Sequence, residues 1–270
     1  MKITNPNRVV YQKDNILKID AYNYYNDIAD LILPFIKNRP LGVICCHNQI
    51  KDCFIKKHPT SKDENINVIN KHNKEIMYIF SKSQMLNQVQ LGGIEFHIGS
   101  YSLLNSNKNL IMVFDLDPDI DISFSVLVDA TLKFKKVLDE LKLQSYLKTS
   151  GGKGYHILVP FLSCENYESF YDLSKKIAYL VKEKYPKLFT LDIRKNKRKG
   201  KIFIDYLRNG FSSTCVCPYS LRAKDHISVS FPISWEDIKR IKPNQITIKN
   251  YKKYLNDSWK NFFKTKQIIK

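Results

Sequence analysis

The sequence predicts an α+β fold, on three observations. Segments with apolar residues at helical spacing alternate with short β-rich runs. Of the 270 residues 43% are hydrophobic and 12% aromatic, enough for a sizeable core. No internal repeat or low-complexity linker divides the chain. Residues 1–270 are therefore expected to form one domain. Its N-terminal part, 1–100, would pack on a core over 101–240 that carries the site motifs. A basic helix over 241–270 would close it.

In chain order, Asp20–Ile36 sets Tyr25, Ile28, Leu31, Ile32 and Phe35 at helical spacing, with Asp20 as cap. Ser123–Leu143 is a second amphipathic helix, with Val126, Leu127, Ala130, Phe134, Val137, Leu138 and Leu141 facing inward, and Tyr167–Lys184 is a third. The β-rich runs are Leu41–Cys46, Leu110–Leu116, Tyr155–Pro160, Lys201–Leu207 and Ile227–Phe231. In the last segment Tyr251, Tyr254, Trp259, Phe262 and Phe263 recur at near-helical spacing among basic residues. A helix docked on the core is favoured there over a basic face for phosphates.

The charge narrows the partners. There are 44 Lys+Arg against 26 Asp+Glu, a formal net charge of +18. A polyanion is the natural partner, although lysine-rich genome composition explains the excess equally well. Arg194–Lys201, RKNKRKGK, is the densest basic run. No apolar run is long enough to span a membrane and no secretory signal is visible at Met1–Tyr11, so a cytoplasmic location, at the nucleoid, is expected. The six cysteines include no CxxC pair, and reduced, mostly buried thiols are expected.

Chemistry concentrates in two places. In Leu110–Pro118, LIMVFDLDP, an apolar run ends in two carboxylates two residues apart. The strand period of two sends Asp115 and Asp117 from the same face, where a divalent cation would relieve their repulsion. Asp205 interrupts the apolar run KIFIDYLR, and a third metal ligand is preferred there over a salt bridge to Arg208, since the two differ in strand parity. The second place is Thr149–His156, TSGGKGYH, which holds three of the nine glycines. Such a turn needs torsions or approaches that a Cβ forbids, and its amides would form an anion nest at Gly151 and Gly152, beside Ser150, Lys153 and His156. It is no Walker A loop, since GxxxxGK[ST] is absent and a strand follows. Acids that hold metal beside a phosphate-cradling turn suggest nucleotidyl transfer.

FDLDP, SGGKGYH and IDYLRN, in this order, resemble the archaeo-eukaryotic primase superfamily, and more specifically the polymerase domain of bacterial ligase D, which serves non-homologous end joining. The resemblance extends through NPNRVVY, Arg39–Pro40, CFIKKH, VQLGGIEFH, PYSLRA and VSFPISW, over nearly the whole chain. It implies a central, largely antiparallel sheet flanked by helices. It assigns Asp115, Asp117 and Asp205 to two ions, Mn²⁺ or Mg²⁺. Ser150, Gly151, Gly152, Lys153 and His156 would take the triphosphate, with Arg208, Arg222, His97 and Lys57 serving the nucleotide. Asn5, Arg8 and Lys18 would recognise a 5′-phosphate on the downstream strand. Phe54 falls where an aromatic meets the template; stacking and a core ring stand equal there. Three departures occur: no basic residue stands before Cys45–Cys46 unless His47 or Lys51 substitutes, no Trp follows His97, and Arg8 replaces a lysine.

The activity so implied is template-dependent filling of short gaps with NTPs or dNTPs, ribonucleotides preferred, at DNA ends. A Ku-like protein and a separate ligase are the implied partners. Within 270 residues no ligase motif KxDG is found, so a stand-alone polymerase is expected. The alternatives are a primase-polymerase for a chromosomal or mobile replicon, and a catalytically silent nucleic-acid-binding module.

Overall fold

The computed structural model describes residues 3–46, 52–60, 63, 65–71, 74–224 and 226–269. His47 and Lys51 lie outside the described residues. Among the described residues, two larger sheets, two two-stranded hairpins and five α-helices organise the chain. At the front, β1 (Val9–Tyr11) and β2 (Ile16–Leu17) form a small hairpin that feeds α1 (Lys18–Asp27) and α2 (Ala29–Ile36). The single helix expected over Asp20–Ile36 is thus two, separated at Ile28. Asp20 is also not the cap. It is the third helical residue, and its carboxylate reaches back to accept from the Leu17 amide at 2.8 Å.

The smaller sheet has the order β13–β7–β3–β4 and is antiparallel throughout: β3 is Leu41–Cys45, β4 Phe54–Lys56, β7 Gly93–Ile98 and β13 Cys215–Val216. Between β4 and β7 lie the hairpin β5 (Asn67–Lys71) and β6 (Lys74–Tyr78) and the helix α3 (Lys82–Gln90), which packs on β7 and α1. The β3–β4 register sets Cys45 opposite Phe54 and so brings Cys46 against Cys53, which are disulfide-bonded. The expectation of reduced thiols is corrected for this pair: spacing alone does not show that a hairpin joins them. Cys45, Cys164, Cys215 and Cys217 are free and buried, as expected.

The larger sheet runs β11–β12–β8–β10–β9–β14, with β15 beside the far end of β10. Its strands are β8 (Lys108–Pro118), β9 (Tyr146–Thr149), β10 (Tyr155–Cys164), β11 (Phe189–Thr190), β12 (Ile202–Asp205), β14 (Pro232–Ile233) and β15 (Ile268–Ile269). The four central pairings are antiparallel; β11–β12 and β10–β15 are parallel. Helix α4 (Phe124–Glu140) starts at the expected place, with the Ser123 hydroxyl accepting from the Val126 amide at 3.3 Å. Helix α5 (Tyr167–Lys184) matches its expected span and packs on β8 and β10. The outer face of β8 and β10 is thereby closed, and the opposite face is left for the site.

Two expected elements are absent. Ile227–Phe231 is not a strand; only isolated bridges at Ser228 and Val229 form, and the ladder resumes at Pro232. Among the described residues of 241–270 there is no α-helix, only short 3₁₀ turns at Tyr251–Tyr254 and Phe262–Lys264 and the strand β15. Pro243 and the asparagines explain this. Asn250 Oδ1 takes the Thr247 amide at 2.7 Å and Asn256 Oδ1 takes the Ser258 amide at 2.9 Å, so side chains claim backbone donors that a helix needs. The aromatics still dock: Trp259 stacks on Phe262 at 4.9 Å, and both rings meet Phe35 and Tyr146. No described helix is long and apolar enough to cross a membrane.

Candidate active site

The strand register draws one polar row across the larger sheet. Asp205 on β12 lies opposite Asp115 on β8, Asp115 opposite His156 on β10, and His156 opposite Lys148 on β9. Side chains in such a row leave the same face. Asp117, two residues along β8, joins them, as the alternation along Leu110–Pro118 predicts.

The electrostatics follow from this crowding. Desolvation, with Asp115 and Asp205 beside it, pushes the Asp117 carboxyl up to about 6. Burial acts to raise Asp115 too, but His156, Arg208 and Lys148 outweigh it and hold that carboxyl well below the usual range. Asp205 is raised by desolvation, against the pull of Arg208. The parity objection to an Asp205–Arg208 pair is met by the strand ending at Asp205. A 3₁₀ turn over Leu207–Asn209 then swings Arg208 Nε to 2.9 Å from Asp205 Oδ2. Asn209 fixes that turn, exchanging hydrogen bonds of 2.8 Å with both the amide and the carbonyl of Val113 on β8.

His156 takes a post other than the open turn. It is 2% exposed, with Nε2 3.1 Å from Asp115 Oδ1, and burial lowers its pKa to about 4. Its Nδ1 lies 3.0 Å from Lys148 Nζ and 3.4 Å from Cys215 Sγ of the smaller sheet. Lys148 is wholly buried, which lowers it to about 8.

The glycine turn is built differently from an open nest. Ser150 Oγ accepts from the amides of Gly152 (3.0 Å) and Gly154 (3.3 Å), and the Gly151 amide donates to the Pro243 carbonyl at 3.0 Å. These donors are engaged within the protein, which corrects the expectation of a vacant amide cradle. Cations remain: Lys153 is exposed, and Lys224 approaches Gly152 so closely that a Cβ there would lie 2.6 Å from Nζ. Gly151, Gly152, Lys153, Lys224, His226 and Lys249 line a cavity of about 480 Å³. The glycine requirement is real: Gly151 has φ +66°, and a Cβ on Gly154 would sit 1.7 Å from the Leu116 carbonyl oxygen.

Arg222 ties the two sheets. Its Nε lies 3.1 Å from Glu95 Oε1 on β7, and its Nη1 donates to the Ser150 carbonyl. Glu95 also meets His97 Nε2 at 2.7 Å and takes the Ala223 amide at 2.8 Å. Burial opposes ionisation of Glu95, yet His97, Arg222 and that amide outweigh it and lower its pKa to about 2. His97 is thus hydrogen-bonded to the carboxylate that also holds Arg222.

The remaining sequence candidates fall at two further places. Asn5, Arg8 and Lys18 do come together: the Arg8 amide donates to Asn5 O at 3.1 Å, the Lys18 amide to Arg8 O at 2.8 Å, and Lys18 Nζ to Thr4 O at 2.7 Å. Burial lowers the Lys18 pKa, Arg8 lowers it further, and burial lowers Arg8 itself. Lys57 borders a separate cavity of about 550 Å³ with His58, Tyr101 and Phe211. Its neighbour Lys56 is the buried one, held by Asp63 and Gln88. Phe54 is 46% exposed, so the core-ring alternative falls.

By chemistry, though not by their spacing here, the three carboxylates suit a hard divalent cation: Asp115, Asp117 and Asp205 offer oxygens, yet as a set these do not lie within 4.8 Å of one another. Desolvation and then the charges of Asp115 and Asp205 raise Asp117, and a cation would relieve the second of these. Asp115, His156 and Cys215 do have ligand atoms within 4.8 Å of one another. That trio suits a soft ion poorly, because burial pushes the Cys215 thiol up to about 12 and both His156 nitrogens are engaged.

A carboxylate-bearing row on an antiparallel sheet, beside a glycine turn with Lys153 and Lys224 at it, is an arrangement of the primase-polymerase class. The chain belongs to the family described as LigD, primase-polymerase domain, whose model matches residues 17–262. It is 30% identical to the multifunctional non-homologous end joining protein LigD of Pseudomonas aeruginosa, over 100% of this chain and 34% of that protein. It is 28% identical to the bifunctional non-homologous end joining protein LigD of Bacillus subtilis, over 88% of this chain and 39% of that protein. The chain therefore spans roughly a third of the length of these relatives. A solved polymerase domain from Mycobacterium tuberculosis ligase D, in complex with DNA, matches with a TM-score of 0.83 and 25% identity, covering 93% of this chain and 92% of that one.

Lys148, Glu95, Lys224 and Asn209 were not singled out from the sequence. Lys148 left one signal: a hairpin turning at Gly152 pairs the residues four before and four after it, Lys148 and His156.

Proposed function

We propose that this chain is a template-dependent nucleotidyltransferase that fills short gaps at DNA double-strand breaks during non-homologous end joining, with a preference for ribonucleotides. The observation that carries the reading is the juxtaposition of three carboxylates with the Lys153–Lys224 turn. Two divalent ions, Mn²⁺ or Mg²⁺, held by Asp115, Asp117 and Asp205, would supply positive charge to acidify a primer 3′-hydroxyl and neutralise the triphosphate. The protein's own residues divide the rest of the work. Lys153 and Lys224 bind phosphate oxygens at the mouth of the glycine turn. Arg208, positioned by Asp205 and Asn209, adds charge beside the carboxylates. Arg222 and Glu95 hold the turn against the smaller sheet; His97 and Lys57 would serve the nucleotide and the half-exposed Phe54 the template. Arg8 and Lys18, two cations already partly desolvated, suit a 5′-phosphate on the downstream strand.

The test is primer extension across a short DNA gap with NTPs or dNTPs and Mn²⁺ or Mg²⁺. The downstream strand carries either 5′-phosphate or 5′-hydroxyl, and Asp117→Ala is the blank. Template-directed addition stimulated by the phosphate and lost in the blank is expected. Extension indifferent to the phosphate, with synthesis from no primer, would overturn the end-joining role in favour of priming. DNA binding without any extension would leave only a binding module. Arg8→Ala with Lys18→Ala should weaken binding to the phosphorylated gap more than to the hydroxyl one.

A further inference from the structure

We propose that Lys148 is a positioning residue for the carboxylate centre, acting through His156 to fix the orientation of Asp115. This rests on the reading of Asp115 as a metal ligand.

The argument begins with a cost. An ammonium group that is wholly buried must have a compensating role, because removing it from water is unfavourable. Among the described residues Lys148 Nζ has two polar partners, Ser230 Oγ and His156 Nδ1, the latter at 3.0 Å. Ser230 is itself fully buried, and its hydroxyl donates to the Thr149 carbonyl at 3.1 Å. Its lone pairs therefore face Lys148 as an acceptor. Lys148 is anchored from one side and aims a donor at His156 from that anchor.

An ammonium has donors only. A donor facing the ring nitrogen at 3.0 Å requires that nitrogen to accept. The proton of the neutral imidazole then resides on Nε2, which lies 3.1 Å from Asp115 Oδ1. His156 thus presents an N–H to the carboxylate and pins one of its oxygens, leaving the other for an ion. The opposite tautomer would set a bare lone pair against the Asp115 oxygen and release it. The register makes the line direct, since Lys148, His156 and Asp115 are successive cross-strand neighbours. This is the outer-sphere support that holds metal ligands in one orientation, and its loss typically costs ~10–100-fold in metal affinity.

The first measurement is the tautomer of His156 by ¹⁵N NMR of ring-labelled histidine, with the resonance assigned from the His156→Gln spectrum. The expected result is protonated Nε2 and unprotonated Nδ1. The second is Mn²⁺ affinity by electron paramagnetic resonance of the free ion, without nucleotide or DNA. Lys148→Met keeps the aliphatic length and removes the donor. It should lose the single tautomer and bind Mn²⁺ about 10-fold or more weakly. If that variant does not fold, Ser230→Ala, which only releases the anchor, should weaken Mn²⁺ by a few fold. A proton on Nδ1 in the parent protein, or unchanged Mn²⁺ affinity in a folded Lys148→Met or Ser230→Ala protein, would overturn the proposal. A parent protein that binds no Mn²⁺ would instead refute the metal-ligand reading itself.

Discussion

Gly154→Ala is the sharpest single-atom perturbation this site allows. The added Cβ would lie 1.7 Å from the carbonyl oxygen of Leu116. A real Cβ keeps about 3 Å from such an oxygen, so the glycine turn and the end of β8 must part by about 1.3 Å. Neither can yield cheaply. The turn is held by Ser150, Pro243 and Arg222, and β8 is paired on both sides. Leu116 stands between Asp115 and Asp117, so the displacement is delivered to the carboxylates. A backbone shift of this size in a packed region costs about 1–3 kcal/mol. For a domain of this length that lowers Tm by roughly 2–12 °C. Primer extension should fall at least 100-fold, since misplacing reacting groups by ~1 Å is enough for that. Gly200→Ala is the control. Its φ is +67° but nothing lies within 4 Å, so it should cost about 1–2 kcal/mol and leave extension intact. Differential scanning fluorimetry and gap extension on both variants decide the matter. A Gly154→Ala protein with parental Tm and activity would refute the close approach on which the site's geometry depends.

Three further outcomes are expected. Asp117 has a folded pKa raised to about 6, so its stabilising contribution is present below the unfolded value near 3.8 and is lost as pH rises through 6. Metal-free Asp117→Asn should therefore melt higher than the parent at pH 7, with the gap closing by about pH 4, in a pH series of thermal melts. Glu95 is the opposite case: lowered to about 2, it stabilises above the unfolded value near 4.5 and is lost only as pH falls through 2. Glu95→Ala should cost about 1–3 kcal/mol at neutral pH by removing the carboxylate that faces a partly buried Arg222 and accepts the Ala223 amide, read by urea denaturation. Lys153→Gln with Lys224→Gln should raise the KM for nucleotide more than it lowers kcat, with little change in Tm, because both side chains are exposed.

The sequence revealed what lies along one strand and hid what lies across strands. The period of two in Leu110–Pro118 sufficed to place Asp115 and Asp117 on one face, and the helix spanning Tyr167–Lys184 was legible from its apolar spacing. Lys148 resembles any surface lysine in a β-rich run until the register sets it beside His156. The Cys46–Cys53 bond likewise depends on β3 pairing with β4. The glycine cluster correctly marked a crowded turn, but the Gly152 and Gly154 amides donate to the Ser150 hydroxyl and the Gly151 amide to Pro243. The C-terminal aromatics showed helical spacing for a different reason. Trp259, Phe262 and Phe263 gather around Phe35 while Tyr251 packs on Tyr24, and the asparagines and Pro243 keep the backbone out of a helix.

The Ser150 hydroxyl has a bearing on ligand choice. A turn whose amides are satisfied by its own serine is already rigid before any anion arrives, so little ordering entropy is lost on binding. Recognition then depends on how far a chain of phosphates reaches toward point charges, not on how many amides it can count. Under the proposed function, such a surface would tell a nucleoside triphosphate from a diphosphate by length, and Lys224, which lines the cavity beside Gly152, is the charge to be reached.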